Sequence, residues 1–235
     1  MNLLLVLACL AQDAPAEEAF KKIEESIEKA KTVRVKFKIE GRGAKEGPDR
    51  DLKATGSLWL KEGNRVRVEL KAFAGGKDHE MTAISDGAQM VTSRDGREGE
   101  SRELPKNLRA RIDASTARMG PFMAAMLGGS RRPGKPEEDP KKIMEIRDIR
   151  GGEGDAQGKT LTYTVRMESD RDSADVKLWY DAKTLTLAKR EITVKKNGEV
   201  EGTITETYEE YVLNGDIPDD TFKVGGEKPK EEKKD

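Results

Sequence analysis

Catalytic and metal chemistry is usually built from histidine, cysteine and clustered carboxylates, and this chain supplies them sparsely. His79 is the only histidine and Cys9 the only cysteine. A Ser-His-Asp triad or a multi-histidine zinc site would have to use His79. That residue stands beside Lys77 and Asp78, in a stretch that reads as a polar surface turn. Asp170, Asp172 and Asp175 have a calcium-like spacing, but the glycine and closing glutamate of an EF-hand loop are missing, so this stretch also reads as a polar turn. No G-x-S-x-G, H-E-x-x-H, P-loop or G-x-G-x-x-G pattern occurs. The 45 acidic residues create carboxylate pairs by number alone, and none is set up for general acid–base work. These residues predict no enzyme, no catalytic residue, no metal and no cofactor.

Composition narrows the remaining classes. Of 235 residues, 34% are hydrophobic and 38% charged, so the chain is polar yet carries enough Val, Ile, Leu and Met for one core. A net charge of −1 offers no general attraction to nucleic acid or anionic membrane, and the two Trp and four Tyr are too scattered for a base-stacking platform. Charges alternate in sign along the chain, which reads as the wet face of a sheet.

The elements follow from periodicity. Leu3 to Ala11 form an apolar run too short to span a bilayer and suited to a secretory leader, although no Lys or Arg precedes it. Ala14-Pro15-Ala16 offers a small-x-small cleavage site. Alternatively, Val6-Leu7-Ala8-Cys9 resembles a lipobox, which would make Cys9 a lipidated, membrane-anchored first residue. A structural leader is the third reading. Cleavage past Ala11 would leave a mature chain without cysteine, and so without a disulfide framework or a thiolate nucleophile. Glu17 to Lys31 predicts a helix, with Phe20, Ile23, Ile27 and Ala30 on one stripe.

Strands come next. Val33, Val35, Phe37 and Ile39 alternate with Arg34, Lys36, Lys38 and Glu40, a period of two. Further strands are predicted at 52–60, from Val66, at 80–85 and 89–93, and then at 143–149, 160–168, 176–181, 185–195 and 200–211. Turn signals at Glu62-Gly63-Asn64, Asp86-Gly87, Asp95-Gly96 and Asn197-Gly198 join them into an antiparallel meander. The run is broken once. Leu108, Ile112, Ser115 and Met119 fall at helical spacing, Pro121 suits a first helical turn, and Gly128-Gly129 ends the segment. Between them, Phe122 to Leu127 is apolar on every side, which suits ordinary core or a lid over an apolar cavity. Residues 130–142 read as a Pro/Lys/Glu loop, and Ile217 to Phe222 as a turn before a final short strand. The layout is therefore a leader at 1–16, one domain at 17–225 and a disordered charged tail at 226–235.

Several motifs then occur in a familiar order. They are Gly56-Ser57-Leu58-Trp59-Leu60-Lys61-Glu62-Gly63-Asn64-Arg65-Val66, then Ile84-Ser85-Asp86-Gly87, then Pro121-Phe122-Met123. Leu178-Trp179-Tyr180-Asp181-Ala182-Lys183-Thr184 and Ile217-Pro218-Asp219-Asp220-Thr221-Phe222 follow. In this the chain resembles the LolA-like family of periplasmic lipoprotein carriers, as a divergent member, from about Glu17 to Val224. The resemblance implies an α+β fold: a half-open, strongly curved antiparallel barrel of about 10–11 strands, with an N-terminal helix and a central helical lid. It implies a periplasmic or otherwise exported monomer that binds lipid or lipoprotein acyl chains, with envelope membrane proteins loading or receiving the cargo. The expected lining is Leu58, Leu60, Val66, Val68, Met119, Phe122, Met123, Met126 and Leu127. One departure stands out. Where the carriers have Arg, Pro and Asn after the first hairpin's Trp-x-Lys, this chain has Glu62, Gly63 and Asn64. The carrier arginine helps control the lid, so Glu62 is the expected lid-control position with its charge reversed. A protein-interaction or sensor module of the same fold, with a filled core, is the alternative.

Overall fold

The computed structural model describes residues 3–44, 51–99, 101–104, 106–128, 144–154, 158–167 and 172–224, with side chains from Pro15 onward except at 98, 102 and 126–128. The expected loop at 130–142 and the tail at 226–235 lie outside the described residues.

The chain begins with helix α1 (Leu3–Lys29), which runs without interruption through the leader and past Pro15. Its predicted stripe is its buried side: Phe20, Ile23, Ile27 and Ala30 are all within 4% of full burial. Five main strands follow, β1 (Thr32–Gly43), β2 (Leu52–Lys61), β3 (Arg65–Ala74), β4 (Lys77–Asp86) and β5 (Gln89–Arg94), with two-residue strands β6 (Arg97–Glu98) and β7 (Arg102–Glu103). Helices α2 (Leu108–Met119) and α3 (Pro121–Gly128) come next. The chain then returns to strands: β8 (Met144–Gly152), β9 (Lys159–Met167), β10 (Asp172–Tyr180), β11 (Leu187–Lys196) and β12 (Glu199–Leu213). A 3-10 turn at Asp219–Phe222 ends the described chain.

All twelve strands among the described residues belong to one antiparallel sheet in the order β6-β5-β4-β3-β2-β1-β12-β11-β10-β9-β8, with β7 on β5. Two meanders are thus joined at their first and last strands. The sheet is not closed, because its outer strands β8 and β6 do not pair with each other. Register shifts in the β1–β12, β10–β11, β11–β12 and β8–β9 ladders add local bending and twist. The tight hairpins at Asp95-Gly96 and Asn197-Gly198 have positive φ at both residues, the geometry that matches strand twist. This is the half-open, curved antiparallel architecture with an N-terminal helix and central helices.

Inward positions form one continuous core. Val33, Val35, Phe37 and Ile39 of β1 pack with Leu58, Leu60, Val66 and Val68, with α1 and α2, and with Leu161, Val165, Val176 and Leu178 from the other meander. Burying each such aliphatic or aromatic side chain contributes about 1.5–3 kcal/mol. The outward face is the charged one. Its exposed pairs, such as Lys38–Glu209 and Lys71–Glu80, contribute little each.

Three local expectations are corrected. His79 does not sit in a turn: Gly75 and Gly76 make the turn, and β4 begins at Lys77, so His79 is a strand residue opposite Ala72. Asp172 and Asp175 also belong to a strand, where Asp175 accepts from Thr164 and pairs with Lys195. Finally, Asp219–Phe222 is a 3-10 turn, and its buried Phe222 and Thr221 dock on the outer side of β3, where Arg67 donates to the Thr221 carbonyl at 3.1 Å.

Candidate functional site

The site is the concave face where α2 and α3 lie on the sheet. Register pairing places Leu161, Leu178, Arg190, Glu206, Ile39, Ala54, Ala72 and His79 in one row across the strands. The row is apolar except at its middle and at its His79 end. Arg190 of β11 and Glu206 of β12 are direct cross-strand neighbours, and both are fully buried.

Their partners explain why they are there. Arg190 donates from Nη1 to the Thr116 carbonyl at 3.0 Å and from Nη2 to the Ala117 carbonyl at 2.9 Å. These are last-turn carbonyls of α2; the Thr116 one also accepts from the Gly120 N–H at 3.2 Å, while the fourth residue after Ala117 is Pro121, which has no N–H to give. The Tyr163 hydroxyl donates to the next one, Arg118, at 2.9 Å. Glu206 serves the opposite kind of helix end, because its Oε1 accepts from the Phe122 N–H at 3.2 Å at the start of α3. Its Oε2 accepts from the Tyr208 hydroxyl at 2.7 Å. A cation thus meets a helix C-terminus and an anion meets a helix N-terminus, which is the favourable sense at both.

Gly120 makes this possible. It has φ +93° and ψ 165°, a region open essentially to glycine alone. A β-carbon there would fall 1.9 Å from Glu206 Oε2 and 2.7 Å from Arg190 Nη1. Burial pushes the Glu206 pKa up, while Arg190, Tyr208 and the Phe122 amide oppose the rise. Burial likewise works against the Arg190 charge, but Tyr208, Tyr163 and Glu206 outweigh it and hold its pKa above the usual value.

The rest of the helix pair is pinned the same way. Asn64, with φ +59° in the β2–β3 turn, accepts from the Arg109 N–H at 3.1 Å and donates to the Lys106 carbonyl at 3.2 Å. It thereby caps α2 from another element. Arg109 chelates Asp113 at 2.8 Å and also donates to the Ala30 carbonyl beyond α1. Burial pushes the Asp113 carboxyl up to about 6 despite that guanidinium, with Glu28 adding to the rise. Arg118 donates to Glu24 of α1 and to the Met144 carbonyl of β8.

Seven of the nine expected lining residues lie in the one core. Leu58, Leu60, Val66, Val68, Met119 and Phe122 share one buried cluster, with Met123 half-buried against it. Met126 and Leu127 lie on α3, but their side chains are outside the described ones. Glu62 is exposed. Its N–H donates to the Lys31 carbonyl and its carbonyl accepts from Arg65, so Asn64 is the turn residue seen reaching α2. Cys9 lies on α1, with its side chain likewise outside the described ones.

His79 touches Asp95 at 3.2 Å and is half-exposed at the far end of the row. No group of three or more metal-ligating side chains occurs among the described residues. A depression of about 540 Å³ is lined by outward residues such as Lys38, Lys71 and Phe73 together with Ile39, Ala54, Ala72 and His79 at the end of the row, and one of about 580 Å³ lies at the β5–β6 turn. Neither lies between helices and sheet.

Arg190 and Glu206 are the functional candidates that the reading of the sequence missed. Their signal is phase. Arg190 shares its strand face with Ile192, and Glu206 shares its face with Ile204 and Tyr208, so each is a charge at a core position.

No family model matches the sequence, and no curated protein matches it. Among solved structures, the fold is similar to lipoprotein LppX of Mycobacterium tuberculosis, at 10% identity and a TM-score of 0.45 over 88% of this chain and 100% of that one. LprF from Mycobacterium bovis gives 12% and 0.43 over 87% and 95%. A LolA superfamily protein from Nitrosomonas europaea gives 8% and 0.38 over 89% and 97%.

Proposed function

We propose that this chain is an exported, non-enzymatic carrier that binds lipid or lipoprotein acyl chains between the concave sheet face and the α2–α3 pair. One observation carries the reading. The all-apolar α3 covers the inside of an unclosed sheet and joins α2 through a bend held by Arg190 and Glu206. Moving this one helical unit would expose an apolar channel without breaking a strand ladder. Its walls would be Leu58, Leu60, Val66, Val68, Met119, Phe122, Met123, Met126 and Leu127. Each methylene of a bound chain taken from water is worth about 0.8 kcal/mol, so eight to ten give adequate affinity without polar contacts.

The domain at 17–225 does the binding, and the segment at 1–16 directs export or, through Cys9, anchors the chain. Glu62 acts on the helix pair through the turn that also carries Asn64. Envelope membrane proteins load or receive the cargo of a monomeric carrier.

A second reading has its own support. Leu58, Leu60 and Met119 have no exposed surface, which favours an envelope sensor or interaction module with a filled core. Native mass spectrometry of the protein purified without detergent separates the two. A co-purifying phospholipid or acylated peptide supports the carrier. An empty chain that takes up no fluorescent fatty acid, with a stable co-purifying protein, supports the sensor.

A further inference from the structure

We infer that the Arg190 cluster is a subsite for the carbonyl oxygen of an esterified acyl chain, an inference that rests on the carrier reading above. Three buried polar atoms on the concave side have no protein partner: Arg190 Nε, Thr116 Oγ1 and the Tyr211 hydroxyl. Arg190 and Thr116 are fully buried, so solvent does not reach them. Buried polar groups are ordinarily satisfied, and one left alone costs about 1–3 kcal/mol.

The three belong to one neighbourhood. The Thr116 carbonyl accepts from Arg190 Nη1, and the Tyr211 ring lies 5.9 Å from that of Tyr208, whose hydroxyl donates to Glu206 opposite Arg190. All three can donate, and Nε–H can only donate, so the occupant must accept hydrogen bonds. The surrounding Ile39, Phe37 and Leu178 are fully or almost fully buried apolar side chains, so the occupant carries an apolar body.

Charge selects among acceptors. Glu206 already lies opposite Arg190, and a second carboxylate or a phosphate would face it across a medium that screens poorly. A neutral carbonyl meets no such repulsion, and it is the group that Arg190 already binds twice, at Thr116 and Ala117. The site therefore reads the junction between an acyl chain and its ester.

The test is displacement of N-phenyl-1-naphthylamine from the whole protein by three chains of equal length: methyl palmitate, hexadecyl methyl ether and palmitate. The ester is expected to bind about tenfold more tightly than the ether, as one hydrogen bond to a charged donor allows, and more tightly than the acid. Arg190→Met should reduce that preference to about one. Should Arg190→Met fail to fold, Thr116→Val and Tyr211→Phe keep the question open to an answer. Each removes a hydroxyl with no partner, so the ligand-free protein should be as stable or more stable, while the ester-over-ether ratio falls. A purely structural hydroxyl would not move that ratio. Equal binding of ester and ether by the unaltered protein, preference for the acid, or full ester preference in all the variants overturns the subsite and leaves the carrier reading intact. Probe binding that none of the three chains displaces overturns both.

Discussion

Gly120 and the charges around it set the stability of the site, and they do so in measurable ways. Replacing Gly120 by alanine forces a β-carbon into the Glu206 carboxylate and strains a backbone at φ +93°. The expected cost is about 3 kcal/mol or more, read as a fall in the urea midpoint. Asp113 gives a pH signature. Its native carboxyl titrates near 6, against the usual 3.8. The folded state therefore binds more protons than the unfolded state between about pH 4 and 6, so this group's contribution is most favourable below that window and falls as pH rises through it. Asp113→Asn removes the effect. Relative to the unaltered protein, the variant should gain on the order of 2 kcal/mol between about pH 4 and pH 7, measured by urea unfolding at each pH. A constant difference across that range would refute the buried-carboxylate account. At this scale the sequence was only partly legible. Leu58, Val66, Met119 and Phe122 announce burial by type, whereas Arg190 and Glu206 announce it only by standing in phase with Ile192 and Ile204. A charge at a core phase has two physical meanings, a register error or a buried partner, and the partner here is a pair of helix ends distant in sequence.

Helices α2 and α3 are short and take their order from other elements. An isolated helix of this length is marginal in water, and both receive their caps from the sheet: Asn64 at the start of α2, Arg190 and Tyr163 at its end, Glu206 at the start of α3. The unit is thus pinned by a handful of polar contacts over an apolar bed. Asn64→Ala loses both bonds and must hold φ +59° without the asparagine tolerance for that region. The expected cost is about 1–2 kcal/mol, with faster amide exchange at Arg109. Asn64→Gly relieves the strain but not the lost cap, so it should cost less than Asn64→Ala and accelerate exchange at the same amide. Periodicity made the elements readable. The alternation in β1 and the stripe on α1 each appear where the residues put them. The misreadings cluster where a local turn signal and a ladder compete: Gly75-Gly76 moves His79 into β4, and the Asp172–Asp175 stretch pairs with β11 because its inward Ala174 and Val176 are buried.

An open sheet divides the molecule into two faces with different duties, and the tryptophans mark the division. Trp179 points outward between Lys177 and Lys189, 4.6 and 4.7 Å from its ring centre, and Trp59 points outward opposite Arg67. The outer face has its own small core, where Phe222 and Ile217 pack under the C-terminal turn and Arg65 sits 6.0 Å over the Phe222 ring. With the charged pairs on the outer face, and α1 packed on the inner side through Phe20 against Tyr163, the concave face is the place where apolar surface can be uncovered. Ligand uptake there has a definite optical consequence. Native tryptophan emission should not change when methyl palmitate binds, because neither ring faces the helices. Phe122→Trp places a reporter at the first turn of α3, and its emission should shift on binding as α3 leaves its bed. A shift in the native tryptophans with a silent Trp at position 122 would place the ligand on the outer face. It would make the depression beside Phe73, about 540 Å³ in volume, the site to pursue instead.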